Sequence, residues 1–375
     1  MAVNPVFPAK AKSQKGPVFF KGKKFMERFS QSMATIIIAV GAVAILIPVI
    51  WMFASALKLK SNVNSMPPTF IPRQAAIIQV NGEDLFMYEV NLENGETKNL
   101  AAVKLDPVNS KFVDPNDPTQ VYYAPADNAT QIFNVVLHWE NFATVWSNPN
   151  SPFMVFLKNT FIYSVVAVIG EVLSCSFVAF GFARLRAPGK DILFLFILAT
   201  LMIPYAVLMI PQYVMFTRYI PDLINGLLGT HIKLADTWWP LMLPKFFGSA
   251  YLIFLVRQFY MSIPKDYDEA ARIDGAGFLR TWWEIILPMS RPVLVAMAVL
   301  SFMYHWNDYL GPLIYLNSMK KLPMSVGLTT YNATYQPSTN LLMAGSLIAV
   351  LPLIIIFFFL NRYFIQGVVV SGVKG

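Results

Sequence analysis

Few residues in this chain of 375 could act on a covalent bond. The histidines His138, His231 and His305 stand far apart without ligand-spaced neighbours, so no metal site is indicated. Gly189-Lys190 is followed by Asp191, and Gly22-Lys23 by Lys24, so neither supplies the Gly-Lys-Ser/Thr that cradles phosphate. No serine-centred nucleophile elbow occurs. The single cysteine, Cys175, lies in an apolar run and reads as a small core residue. The expectation is a chain with no catalytic residues, no metal and no bound cofactor; if it drives work, the energy comes from elsewhere. Two polar sets remain that could handle a solute. Glu171 lies within an apolar stretch, where an ionisable side chain is costly and marks a functional site by default. Tyr304-His305-Trp306-Asn307-Asp308-Tyr309 mixes aromatic faces for stacking with polar groups for hydroxyls. Glu171, Trp306, Asn307 and Tyr309 are the candidate substrate-path residues. The competing reading places Trp306 and Tyr309 in an interfacial belt, Asn307 between helices, and Glu171 in a hydrogen bond to a neighbouring helix or facing a watery cavity.

The most informative stretch is residues 263–288. It opens Ile263-Pro264-Lys265-Asp266-Tyr267-Asp268-Glu269-Ala270-Ala271-Arg272-Ile273-Asp274-Gly275-Ala276-Gly277 and ends Glu284-Ile285-Ile286-Leu287-Pro288. Pro264 with Lys265-Asp266 opens a helix, and acidic residues occupy its first turns as the macrodipole favours. Gly275 and Gly277 end it. A second short helix is predicted from about Phe278 to Leu287, stopped by Pro288. The small Ala270 and Ala271 permit close approach by another protein's surface, and Glu269 offers a charge for a basic partner.

The elements that must position these residues are membrane helices. The composition is 56% hydrophobic and only 13% charged, with mean hydropathy +0.51. Soluble domains carry roughly 25% charged residues, so too little polar surface exists here for a water-facing globule. The net charge of +8 is spread between apolar runs and is not gathered into a nucleic-acid-binding face. A bilayer needs about 20 apolar residues per helix. Six stretches qualify, near 34–57, 160–183, 192–217, 239–256, 292–315 and 341–363. Seventeen of the 29 Lys and Arg fall in residues 1–33, 184–191, 257–291 and the tail from Arg362. By the positive-inside rule both termini are expected in the cytoplasm.

Residues 58–150 would then lie outside. Ten acidic and six basic residues make this segment polar. Ala76–Val80 and Leu85–Tyr88 have strand character, and Asn94-Gly95 between Tyr88–Leu92 and Thr97–Leu105 is a hairpin signal. A small β-rich domain is expected there.

With these residues in view, the chain resembles the permeases of binding-protein-dependent ABC importers. Glu269, Ala270, Ala271, Gly275, Ile285, Leu287 and Pro288 keep every spacing of that family's EAA loop. Ala183–Lys190, Phe254–Phe259, Trp306–Tyr309 with Pro312-Leu313, Trp139–Phe142 with Lys158–Thr160, and Gly372–Gly375 are similar to the carbohydrate-uptake permeases of maltose-transporter type, specifically the second subunit of the pair. The similarity covers about residues 138–375, the first span and Pro67–Pro72; the stretch from Arg73 to Leu137 departs from it as an insertion.

The resemblance implies an all-α integral membrane protein with six transmembrane helices of the type I importer fold and a β-rich extracytoplasmic insertion. The implied organisation is a cytoplasmic segment 1–33, a first helix 34–57, an external segment 58–150 with its insertion at about 73–137, a permease core 151–364 containing the coupling loop 263–288, and a cytoplasmic tail 365–375. Implied partners are a second permease of different sequence, two ATPase subunits that bind ATP and Mg, an extracytoplasmic solute-binding protein and the lipid bilayer of a bacterial or archaeal inner membrane, with no nucleic acid. Asp268, Glu269, Ala270, Ala271, Arg272, Asp274 and Gly275 would dock on an ATPase. The implied cargo is a sugar, with a glycerol phosphate ester or polyol as the alternative. A secondary transporter, or a membrane-anchored receptor working through residues 58–150, is the reading from another class.

Overall fold

The computed structural model describes residues 19–65, 69–92, 95–149, 151–332 and 338–369. Two units are distinguished, residues 1–52 and 53–375. The described part of the first unit is one helix, Phe19–Ala56, which runs across the boundary. Its portion Met26–Ala56 is long and apolar enough to cross a bilayer.

In the second unit, Phe153–Arg184, Trp239–Ser262 and Thr339–Leu360 also meet that test. Among the described residues the candidate spans number four, or six if each of two bent helix pairs is one span. The expected third span, 192–217, is one of them. It is not a single helix: Lys190–Met202 and Tyr205–Leu228 meet at 99°. Pro204 has no N–H to continue the ladder, and Ile203 before it is pushed to an extended conformation. Residues 292–315 are likewise not continuous; the helix ends at Trp306 and a short one resumes at Leu310. The fourth span holds a 3₁₀ turn, Leu243–Phe247, then Gly248 at φ +90°, before the helix Ala250–Ser262. Gly248 needs that left-handed region, and a Cβ there would meet Ile253 at 3.0 Å.

The strands form two sheets. β1 (Arg73–Ala75) pairs with β8 (Phe133–Val135) as a two-stranded antiparallel neck. The neck brings the chain back to where it left, so a long insertion leaves the flanking helices undisturbed. Between them, β2 (Ile77–Val80), β3 (Glu83–Asn91), β4 (Thr97–Lys104), β5 (Ser110–Val113) and β6 (Val121–Ala124) make an antiparallel meander. β3 is long enough to pair β2 through its first half and β7 (Ala129–Gln131) through its second. The strands expected around the Asn94-Gly95 hairpin pair with Asn91 opposite Thr97; Asn94 lies outside the described residues. Val90, Leu100, Phe112 and Ala124 bury one small core.

The helix Phe153–Arg184 carries the core of the second unit. Asn159 Nδ2 donates to the carbonyls of Lys320 and Leu322, each at 2.9 Å. Thr160 Oγ1 accepts the Met324 N–H at 2.6 Å. Cys175 Sγ accepts the Ser249 N–H at 3.2 Å, and Ser176 Oγ lies 2.8 Å from the Tyr260 hydroxyl. Asn141, in the helix Glu140–Ser147, donates to the carbonyls of Ala56 and Lys58 at 2.8 and 2.9 Å and accepts from Asn340 at 3.1 Å. It satisfies carbonyls that a helix end leaves open.

Asp236 ties two loops. Its carboxylate accepts the N–H groups of Asn317 and Ser318 at 2.9 and 3.0 Å, the Ser318 hydroxyl at 2.5 Å and the Lys321 ammonium at 3.0 Å. These bonds hold its pKa well below the usual carboxylate range. Asp236→Asn keeps a residue that tolerates the φ of +53° but removes the charge. We expect a lower melting temperature in detergent. A depressed folded-state pKa gives stability that is complete above the unfolded value of about 3.9 and fades as pH falls through it. The wild-type advantage should therefore hold from neutral pH down to about 5 and shrink below about 4.

Candidate functional site

The loop motif 263–288 opens as a helix, Asp266–Ile273, with acidic Asp266, Asp268 and Glu269 in its first turn. Gly275 at φ +77° turns the chain, and the Ala276 N–H reaches back to the Ala271 carbonyl at 2.8 Å. The second helix does not stop at Pro288. It starts at Phe278, widens to a π-turn at Thr281–Ile286 and runs on to Met289 before bending 81° into Arg291–Trp306. The wide turn accommodates the ring and missing N–H of Pro288 without ending the helix.

The expected docking residues divide into two sets. Glu269, Ala270, Arg272, Asp274 and Gly275 face outward, together with Ile273, which is 86% exposed. Ala271 is buried, and Asp268 is turned into the protein. Arg184, the last residue of Phe153–Arg184, places Nη1 3.2 Å from Asp268 Oδ2 and donates from Nη2 to the Ile263 carbonyl at 2.8 Å. Trp282 Nε1 donates to Ser176 Oγ on the same helix at 3.1 Å. Both halves of the loop are thus fastened to one span while the first presents a free face.

The same span forms one wall of a cavity of about 560 Å³ at mid-length, within the range of small-molecule sites of about 300–1,000 Å³. Tyr163, Tyr205, Tyr251, Tyr304 and Tyr315 line it. Glu171, Asp308, Lys245 and Gln212 supply its charged and amide groups. Glu171 Oε2 accepts the Ser301 hydroxyl at 2.7 Å and lies 3.2 Å from His305 Nε2. Tyr163 donates to Asp308 Oδ2 at 2.7 Å. The Lys245 ammonium stands 5.7 Å from the Tyr304 ring centre.

Of the expected path residues, only Glu171 lines this cavity. Trp306 is buried and donates from Nε1 to the Ala349 carbonyl at 3.1 Å, so it packs against the last span. Asn307 bonds back to the Met303 carbonyl at 2.7 Å. Tyr309 is 40% exposed and does not line the cavity. The hexapeptide contributes Tyr304 and Asp308 instead, the first from the last turn of the helix and the second from just past its end at Trp306. The other tyrosines carried no sequence signal: each stands alone in an apolar run, and they come from separate elements that tertiary packing brings to one space.

Residues 175–370 match the model of the family described as binding-protein-dependent transport system inner membrane component. The chain belongs to this family. Among its relatives is the arabinooligosaccharides transport system permease protein AraQ of Halalkalibacterium halodurans, 34% identical over 212 residues, which cover 56% of this chain and 71% of that one. Another is the sn-glycerol-3-phosphate transport system permease protein UgpE of Yersinia pestis, 31% identical over 261 residues, covering 68% and 86%. A bacterial ABC transporter involved in the import of the acidic polysaccharide alginate superposes with a TM-score of 0.60 over 90% of this chain and 98% of that one, at 18% identity. That likeness establishes the type I importer permease fold.

Removing one partner of a buried ion pair costs about 3–5 kcal/mol. Asp268→Ala should therefore loosen the helix Asp266–Ile273 without dispersing the spans. Amide exchange in residues 266–276 is expected to accelerate on the order of a hundredfold, with exchange in Phe153–Arg184 unchanged. Unaltered protection in 266–276 would remove Arg184 as the fastening point.

Proposed function

We propose that this chain is one of two permease subunits of an ATP-driven sugar importer, coupled to cytoplasmic ATPases through the helix Asp266–Ile273. One observation carries the reading: the helix that fastens this exposed coupling helix, Phe153–Arg184, also bears Tyr163 and Glu171 in the wall of the tyrosine-lined cavity. Movement imposed on Glu269, Ala270, Arg272, Ile273 and Asp274 by an ATPase would pass through Arg184 and Trp282 into that wall. Short helices with ion-paired and hydrogen-bonded anchors transmit displacement without absorbing it. ATP and Mg would be bound and turned over by the partner subunits, and this chain would be non-catalytic. Phenol rings that stack on sugar faces and carboxylates that accept hydroxyl hydrogen bonds suit a saccharide, and the arabinooligosaccharide relative supports that cargo. A glycerol phosphate ester is the second reading, favoured by the UgpE relative.

Both termini would be cytoplasmic, with the insertion outside, where an extracytoplasmic binding protein delivers solute. Val108 is 78% exposed in the insertion and Cys175 is buried. Val108→Cys in intact cells should react with a membrane-impermeant maleimide applied from outside; labelling only after permeabilisation would reverse the orientation.

The coupling role is tested with Glu269→Arg. Uptake into vesicles driven by ATP should fall at least about tenfold, while membrane insertion and yield of the chain stay at wild-type level. Normal uptake would sink the docking role of this face.

A further inference from the structure

We infer that the cavity admits uncharged, hydroxyl-rich solutes and rejects anionic ones, with Glu171 the specificity-determining residue. This rests on the reading of the cavity as the substrate path. Among the described residues, its wall holds two carboxylates, Glu171 and Asp308, and one ammonium, Lys245. His305 is fully buried behind Glu171 and is the other titratable base in contact with the set, packed against Glu171 and Tyr163. With His305 neutral the four groups carry one net negative charge; with it protonated they carry none. Neither state leaves a surplus positive charge.

Sites for phosphate or carboxylate depend on such a surplus, commonly from the bidentate fork of arginine, and no arginine among the described residues lines this wall. A phosphate monoester or a uronate placed here would lose water and face two carboxylates across a single ammonium, and like charges brought together at an interface are strongly unfavourable. Asp308 is occupied on both oxygens, by the Tyr163 hydroxyl at 2.7 Å and the Gly311 N–H at 3.3 Å. Glu171 receives the Ser301 hydroxyl on Oε2; no hydrogen bond to its Oε1 is found among the described residues, which leaves an oriented acceptor for a sugar hydroxyl. A neutral saccharide meets that acceptor, the Gln212 amide and the tyrosine rings without an electrostatic cost.

The test uses the assembled complex of this chain, its partner permease and its ATPases, purified in detergent without a binding protein, so that selection upstream is bypassed. Calorimetric titration compares arabinotriose, trigalacturonate and sn-glycerol 3-phosphate at equal ionic strength. Arabinotriose should bind at least about tenfold more tightly than either anion. E171Q should narrow the gap about tenfold while E171D keeps it. Raising salt to about 0.5 M should also narrow it in the wild type, a readout that needs no variant. An anion bound as tightly as arabinotriose overturns the inference and leaves the sugar-importer reading standing. A gap unchanged in folded E171Q and in high salt overturns the role of Glu171. Binding of none of the three overturns both readings, because the cavity is then not a solute site.

Discussion

A polar side chain within an apolar medium must be satisfied by protein, since no water is there to do it. The helix Phe153–Arg184 carries more such groups than any other described span, and their partners are what hold the second unit together. Asn159 and Thr160 fix the loop at 320–324, Tyr163 and Glu171 meet the span ending at Trp306, Cys175 and Ser176 meet the fourth span, and Arg184 takes the helix Asp266–Ile273. Packing contributes at the same places through small residues. A Cβ on Gly170 would come within 2.9 Å of Phe246, so the close approach of the 3₁₀ turn depends on that glycine.

The anchors of the loop 263–288 and one wall of the cavity therefore belong to one rod. Arg184 and Ser176 engage the loop 263–288, while Glu171 and Tyr163, nearer the middle, face the cavity. The opposite walls come from broken elements: Tyr205 follows the Pro204 break, Lys245 sits in the 3₁₀ turn, and Asp308 lies just past the helix end at Trp306. Irregular backbone at such depth is tolerated where it lines a cavity, and here the cavity lies beside all three breaks. The acidic insertion stands apart from this machinery on its two-stranded neck.

How much of this was legible from the sequence varies with the type of signal. The helix Asp266–Ile273 and its turn at Gly275 were the clearest case, because an acidic first turn and a terminating glycine are local constraints that need no tertiary information. Even so, the pattern did not separate Asp268 from Glu269. Adjacent residues on a helix point about 100° apart, and only the position of Arg184 decides which of the two faces inward. Hydropathy located the spans but read 192–217 and 292–315 as continuous, since an apolar count is blind to a missing N–H at Pro204 or a helix end at Asn307. The hexapeptide Tyr304–Tyr309 held the right region and the wrong residues: Trp306 has the composition of a stacking platform, yet it faces the last span.

By itself, then, the sequence determined the membrane class, the number and order of apolar stretches, the presence of a strand-rich insertion and the short helix of the loop 263–288. Each is set by local composition or fixed spacing, which the chain carries wherever it folds. Tertiary structure alone decided that five scattered tyrosines, two carboxylates and a lysine share one space, and that Arg184 fastens the helix Asp266–Ile273 to the wall of that space. Those facts depend on the angles at three backbone breaks and on which face of each helix is turned inward. Long-range packing fixes both, and no window along the chain contains them.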